Sequence, residues 1–203
     1  MTYEPSKWSR IIAADPDHSH RYIQRFKMMA AEGRDLVGEA RTIHAMVPPA
    51  SRILDAGCGP GRHGGYLHSL GHQVVGVDGD PVLIEAAEQD FPGPTWVVQD
   101  LAELDLPSRG VEADFDAILC AGNVATFLAP STRVDVLRRM ADHLAPEGRL
   151  AIGFGAGRGY DFEEFLSDAA EGGLQPENAL STCALRPLEP DSTFLVAFLC
   201  RLG

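Results

Sequence analysis

From residue 51 onward the chain alternates short apolar runs with helical stretches, and that alternation leaves few folds open. Arg52-Ile53-Leu54-Asp55 reads as a strand and Tyr66 to Leu70 as helix. His72 to Asp78 is a second strand, followed by a helix from Pro81 to Asp90 whose proline sits in the first turn, where its missing N–H costs nothing. Thr95 to Val98, Phe115 to Cys120 and Gly148 to Phe154 supply three more strands. Ser131 to Leu144 is a helix carrying Val134, Leu137, Met140 and Leu144. Strands alternating with helices predict βαβ units around a parallel sheet, an α/β fold with helices on both faces. After one more helix, Phe162 to Ala170, two strand-like segments (179–188 and 193–201) flank Glu189-Pro190-Asp191-Ser192. So short a link predicts an antiparallel pair at the end of a seven-stranded sheet, because a parallel return needs a crossover of about a dozen residues.

The first fifty residues read as helices instead. Tyr22, Phe26 and Met29 recur at helical spacing and form one apolar stripe. Asp35 is a candidate N-cap for a second stripe of Leu36, Ala40, Ile43 and Val47, which Pro48-Pro49 stops. At 203 residues one domain is expected, 1–203, with a helical N-terminal cap over 1–49 and a core over 50–203.

Charge narrows the partners. The net charge is −12, and it is uneven: residues 1–50 hold 7 Lys/Arg against 6 Asp/Glu, and the remainder 10 against 23. An acidic chain is a poor binder of nucleic-acid phosphates and of anionic membrane surfaces. The start, MTYEPSKWSR, has no apolar signal-like region, and the longest late apolar run is far too short to span a bilayer. Cys58, Cys120, Cys183 and Cys200 lie far apart without metal-ligand spacing, so neither a disulfide framework nor a metal site is expected, and a cytoplasmic setting is the default.

Most of the chemistry is carried by Ile53-Leu54-Asp55-Ala56-Gly57-Cys58-Gly59-Pro60-Gly61, a strand running into a glycine-rich turn and then a helix. Such a turn lies at the carboxyl edge of an open α/β sheet, where ligands bind. Gly59 to Gly64 also satisfies G-x-G-x-x-G, but that pattern alone is weak, and it leaves Asp55 without a role. Read as Asp-x-Gly-x-Gly-x-Gly, the segment resembles motif I of the class I S-adenosylmethionine-dependent methyltransferases, of the small bacterial small-molecule type. Asp78 ends the second strand as the family's ribose-binding acid does. Val98-Gln99-Asp100-Leu101 follows the third strand like its adenine-binding motif, and Leu144 to Leu150 resembles its turn into the fifth strand. The resemblance covers residues 50–203 and implies a Rossmann-like, mostly parallel seven-stranded sheet with a terminal antiparallel hairpin.

By that resemblance the cofactor is S-adenosylmethionine. Asp55 would order the glycine loop near the methionine ammonium, and Gly57, Cys58 and Gly59 would let the backbone approach. Asp78 would take the ribose hydroxyls, Gly79 or Asp80 would flank the adenine, and Asp100 and Leu101 would meet its edge. The backbone from Cys120 to Gly122 would face the methionine amino group. The competing reading of each acid is an ordinary strand-end turn residue.

A small-molecule acceptor would sit beside the fourth and fifth strands. Asn123 either orients it or caps a helix; Arg158 and Tyr160, in a glycine-rich loop expected to be mobile, would hold an anionic or polar acceptor. Tyr22 and Arg25 would close over the cofactor, although Tyr22 also lies on the apolar stripe. His18 and His20 are candidate bases on pKa alone, and no catalytic residue is identified. Two rival functions remain at this stage: an NAD(P)-dependent oxidoreductase on a related fold, and a non-catalytic module that binds S-adenosylmethionine.

Overall fold

The computed structural model describes residues 3–202. Five strands run parallel: β1 (Arg52–Ala56), β2 (Gln73–Asp78), β3 (Thr95–Val98), β4 (Phe115–Cys120) and β5 (Leu144–Gly155). Two more, β6 (Leu174–Leu180) and β7 (Phe194–Arg201), complete one sheet in the order β3-β2-β1-β4-β5-β7-β6, with β7 antiparallel to both neighbours. The order reverses between β1 and β4, which opens a crevice at their carboxyl ends.

The register explains the two-sided core. Ile53 pairs beside Ala117, and Leu54 beside Ile118, so successive residues face opposite sides of the sheet. On one side Ile53, Ala117, Leu119 and Ala151 pack against α3 (Gly38–Met46) and α4 (Arg62–Ser69), through Ala40, Ile43 and Leu67. α5 (Pro81–Asp90) adjoins α4 there, since a Cβ on Gly61 would meet Ala87 at 2.8 Å. On the other side Leu54, Ile118, Leu150 and Ile152 pack with α6 (Arg133–His143) and α7 (Phe162–Glu171).

The N-terminal helices divide. α1 (Lys7–Ala14) and α2 (His18–Ala31) lie over the carboxyl edge and bury little beyond Ser19 and Ile23, whereas α3 is a layer of the core. The part of the expected cap that roofs the crevice therefore ends before α3. Asp35 is not the N-cap of that helix. It accepts from the Val37 amide at 3.2 Å and pairs with Arg41, and the helix starts at Gly38.

The terminal pair is antiparallel as expected, but its link is not the short turn. β6 begins at Leu174, and residues 181–193 intervene, with one bridge between Leu180 and Pro187. β6 is an edge strand exposed along most of its length, with Pro176 at an irregularity in the pairing. A solvated edge needs no apolar alternation, and it tolerates proline.

Candidate active site

A cavity of about 330 Å³ opens at the switch point. Its floor is the turn after β1. The Gly57 and Cys58 amides both donate to the Val77 carbonyl, at 2.8 and 3.0 Å, which folds the chain sharply back over β2. Gly57 sits at φ +77°, and a Cβ there would stand 2.5 Å from Val124 Cγ1. Only glycine fits this position.

Two carboxyl groups are woven into the floor. Asp55 is 1% exposed, and its Oδ2 accepts from the Gly64 amide in the first turn of α4 at 2.9 Å. Burial pushes its pKa up, against the pull of His63, Arg62 and that amide. Asp78 lines the cavity. Its Oδ2 accepts from the Gly59 amide at 2.9 Å and its Oδ1 from the Asp80 amide at 3.0 Å. Each oxygen keeps acceptor capacity toward the cavity. Burial pushes the Asp78 pKa up to about 6, the two amides opposing. Gly79, Asp100 and Leu101 continue the wall, with Asp100 Oδ1 capping the next turn through the Ala102 amide at 2.9 Å.

The roof comes from α1 and α2. Trp8 makes edge-on contacts with Tyr22 and Phe127, with centroids 5.1 and 5.7 Å apart, and Tyr22 leans on Phe26 at 4.8 Å. Tyr22 lies over Gly59, and burial raises its pKa, Arg62 opposing. Asp80 fastens this roof. Its Oδ1 caps α5 through the Val82 amide, while its Oδ2 accepts from Trp8 Nε1 at 2.9 Å and from the Ser19 hydroxyl.

On the opposite wall Asn123 holds a left-handed conformation, φ +69°, with its Oδ1 accepting from the Gly155 amide at 2.8 Å. That bond settles the orientation of the side-chain amide, so the NH₂ group is the free end. Arg158 folds back over Gly155 and lines the cavity. The loop that carries it is anchored: buried Arg133 donates to the Gly159 carbonyl and pairs with Glu164.

The expected residues therefore divide. The structure brings Gly57, Gly59, Asp78, Gly79, Asp100, Leu101, Asn123, Arg158, Tyr22 and Arg25 around one cavity. It places Asp55, Cys58, Cys120 and Tyr160 behind it. Cys58 and Cys120 are buried, with thiol pKa values raised by burial, that of Cys120 to about 12; Gly122 forms the wall beyond Cys120. Tyr160 is a core residue, not an acceptor contact: it stacks on Phe154 at 5.6 Å, and its hydroxyl donates to Asp168 at 2.7 Å. Asp80 does not line the cavity and instead fastens helices together. His18 and His20 do not reach the cavity, and His72 bonds to His44 at 2.8 Å. Ser6, Trp8, Ser9, Val124, Phe127 and Leu128 also line it and were not singled out in the sequence, although Trp8, Ile11 and Ile12 share a helical stripe there.

What the site fits follows from its donors. A dinucleotide needs free amides or cations for its pyrophosphate at the first helix. Here Asp55 occupies the Gly64 amide at the start of α4, and Asp78 occupies the Gly59 amide. The loop has filled its anion sites with its own carboxyl groups. A ligand with hydroxyls to donate, a cationic group and no phosphate fits instead, against a wall that offers the carboxyl groups of Asp78 and Asp100. Fold and site together define a Rossmann-like domain for a phosphate-free cofactor.

Comparison with known proteins narrows this further. A family model described as a methyltransferase domain matches residues 53–148. The crystal structure of a TehB-like SAM-dependent methyltransferase from Corynebacterium glutamicum superposes with a TM-score of 0.88 at 49% identity, covering 92% of this chain and 100% of that one. The ribosomal protein L11 methyltransferase of Symbiobacterium thermophilum is 33% identical over 154 residues, 72% of this chain and 47% of that protein. The trans-aconitate 2-methyltransferase of Sinorhizobium fredii is 32% identical over 117 residues, 56% of this chain and 42% of that protein. The chain belongs to the class I S-adenosylmethionine-dependent methyltransferases, whose cofactor is S-adenosylmethionine. It spans about half the length of the curated relatives it matches. The oxidoreductase alternative is not favoured. No helix among the described residues is long and apolar enough to cross a membrane.

Proposed function

We propose that the protein transfers the methyl group of S-adenosylmethionine to a small-molecule acceptor in the cytoplasm, as a single domain. The observation that carries the reading is Asp78, a cavity-lining carboxyl held by the Gly59 and Asp80 amides, each oxygen of which can accept a further bond. The cofactor supplies an activated methyl on a sulfonium. The chain's residues bind and orient. Asp78 accepts the ribose hydroxyls, charge-assisted when ionised. Gly57 and Gly59 allow the backbone to approach, and Tyr22 and Trp8 exclude water above. Alignment supplies much of the acceleration of such a displacement. A small acceptor is supported by the size of the cavity, about 330 Å³, part of whose lining is the aromatic roof.

Calorimetry with S-adenosylmethionine and S-adenosylhomocysteine tests the reading. Both should bind, and Asp78→Ala should weaken both. Absence of binding by either overturns it. Binding without methyl transfer to any acceptor would instead support the non-catalytic module.

A further inference from the structure

Beyond the nucleoside end, the far wall of the cavity is rich in donors and cations. Asn123 presents its NH₂ group, because its Oδ1 is committed to the Gly155 amide. Arg158 lies beside it: a Cβ on Gly155 would stand 3.1 Å from Arg158 Nε and 3.6 Å from Asn123 Oδ1. Lys7, outside the lining, has its Nζ 5.9 Å from the centroid of the cavity-lining Phe127 ring. The chain has 29 acids for 17 Lys/Arg, and most of its arginines are spent on ion pairs or carbonyls. Among the described residues, neither Arg158 nor Lys7 makes an ion pair or a side-chain hydrogen bond. Two arginines line the cavity without an ion pair among the described residues, Arg25 on the roof and Arg158 beside the free amide of Asn123, and the juxtaposition of Arg158 and Asn123 points to an anionic partner.

A second observation concerns proton transfer. The described cavity lining contains no His, Glu, Cys or Lys. Its two carboxyl groups, Asp78 and Asp100, stand at the nucleoside end with amides donating to them. Its one phenol, Tyr22, is a weaker acid than usual because it is buried. An alcohol, which must lose a proton as it is methylated, finds no side-chain base on the Asn123 and Arg158 side of the described lining. The site suits a nucleophile already ionised in solution.

We infer that the acceptor is a small carboxylate and that the methyl is placed on its oxygen. Arg158 and Asn123 match the two oxygens of a planar carboxylate, the geometry in which a guanidinium fork is most selective. One carboxylate oxygen forms the new O–CH₃ bond. The S–CH₃ bond breaks and its electron pair stays on sulfur. Anion and sulfonium become a neutral ester and a neutral thioether, and no proton moves. The inference rests on the methyltransferase reading and deepens it by naming the substrate class.

The test uses the full chain with methyl-tritiated S-adenosylmethionine and a matched panel: benzoate, phenylacetate, succinate and citrate against benzamide, aniline, phenol and benzyl alcohol. Methyl esters are recognised by the release of labelled methanol in mild alkali. The expected result is turnover confined to carboxylates, with alkali-labile product equal to the S-adenosylhomocysteine formed and a rate that stays level from pH 7 to 9. Arg158→Met should lower kcat/KM for the carboxylate by about 10- to 100-fold, the worth of one charge-assisted bond. Its affinity for S-adenosylhomocysteine should stay unchanged, which shows the variant folded. Turnover of the neutral acceptors alone, alkali-stable product, or no turnover of the carboxylates while S-adenosylhomocysteine binds overturns the inference and leaves the methyltransferase reading standing. Failure of S-adenosylhomocysteine to bind removes that reading instead.

Discussion

Asp78 joins two roles that pull its protonation in opposite directions. Burial raises its pKa to about 6, so in the free protein this group contributes stability in acid, and that contribution is lost as pH rises through about 6. A ligand whose hydroxyls bond to the carboxylate favours the ionised form. The increase in Tm caused by S-adenosylhomocysteine should therefore shrink as pH falls below about 6. Asp78→Asn should weaken binding by about 10- to 100-fold and flatten that pH dependence. Thermal scans between pH 5 and 8, with and without ligand, check both. Gly57 offers a second prediction at this scale. Its φ of +77° costs alanine about 1–2 kcal/mol. A Cβ 2.5 Å from Val124 adds an overpacking cost of about 1–3 kcal/mol. Gly57→Ala should thus lose about 2–5 kcal/mol in urea unfolding, and adding Val124→Ala should recover only the overpacking part. Asp78 and Gly57 were legible in the sequence because motif spacing places them at strand ends. Arg158 was legible as a candidate, but its pose over Gly155 was not, since no local pattern fixes how a glycine-rich loop folds back.

Among the elements, the roof helices are held on by few groups. One oxygen of Asp80 takes both the Trp8 indole N–H and the Ser19 hydroxyl, while the other caps α5. The two functions separate by substitution. Trp8→Phe keeps an aromatic ring against Tyr22 and Phe127 but removes one bond to Asp80. It should lower stability by only about 1 kcal/mol. It should also speed hydrogen exchange across α1 while leaving α5 protected. Asp80→Ala also removes the cap of α5, at a further cost of about 1 kcal/mol, and should deprotect both helices. Equal exchange in α1 of wild type and Trp8→Phe would show that the bond does not hold the roof. None of this fastening could be read from the chain. Asp80 precedes Pro81 and looks like an ordinary cap, and its partners lie 72 and 61 residues away. β6 was misplaced for a related reason: an exposed edge strand carries no alternation, whereas the apolar residues near 185 belong to a loop. The inner strands β1, β2 and β4 and the second half of β5 were readable because both their faces are covered, so each is largely an apolar run, whereas β3 is a partly exposed edge strand read from Trp96-Val97-Val98.

The whole molecule separates stability from ligand closure. Both faces of the sheet are covered without α1 and α2: α3 to α5 lie on one side, and α6 and α7 on the other. The break between roof and core was not visible in the sequence, where residues 1–50 look like one near-neutral helical block. Periodicity marks an apolar stripe but not what it faces. α3 reveals its partner only through Ala40 and Ile43, packed with Ile53 and Leu67. A chain beginning at Val37 should therefore fold. It loses the burial of Ile23, about 2–3 kcal/mol, and Tm should fall by about 5–10 °C with unfolding still cooperative. The same chain loses Tyr22, Trp8, Ser6 and Ser9 from the cavity and with them the shield over the glycine turn. Its affinity for S-adenosylhomocysteine should drop by at least about 10-fold, since each buried aromatic contact contributes about 0.5–1.5 kcal/mol beyond its area. Circular dichroism melting and calorimetry on the two chains separate the outcomes. A truncated chain that fails to fold would make the roof part of the core. One that folds and binds as tightly as the full chain would show that the roof serves the acceptor alone.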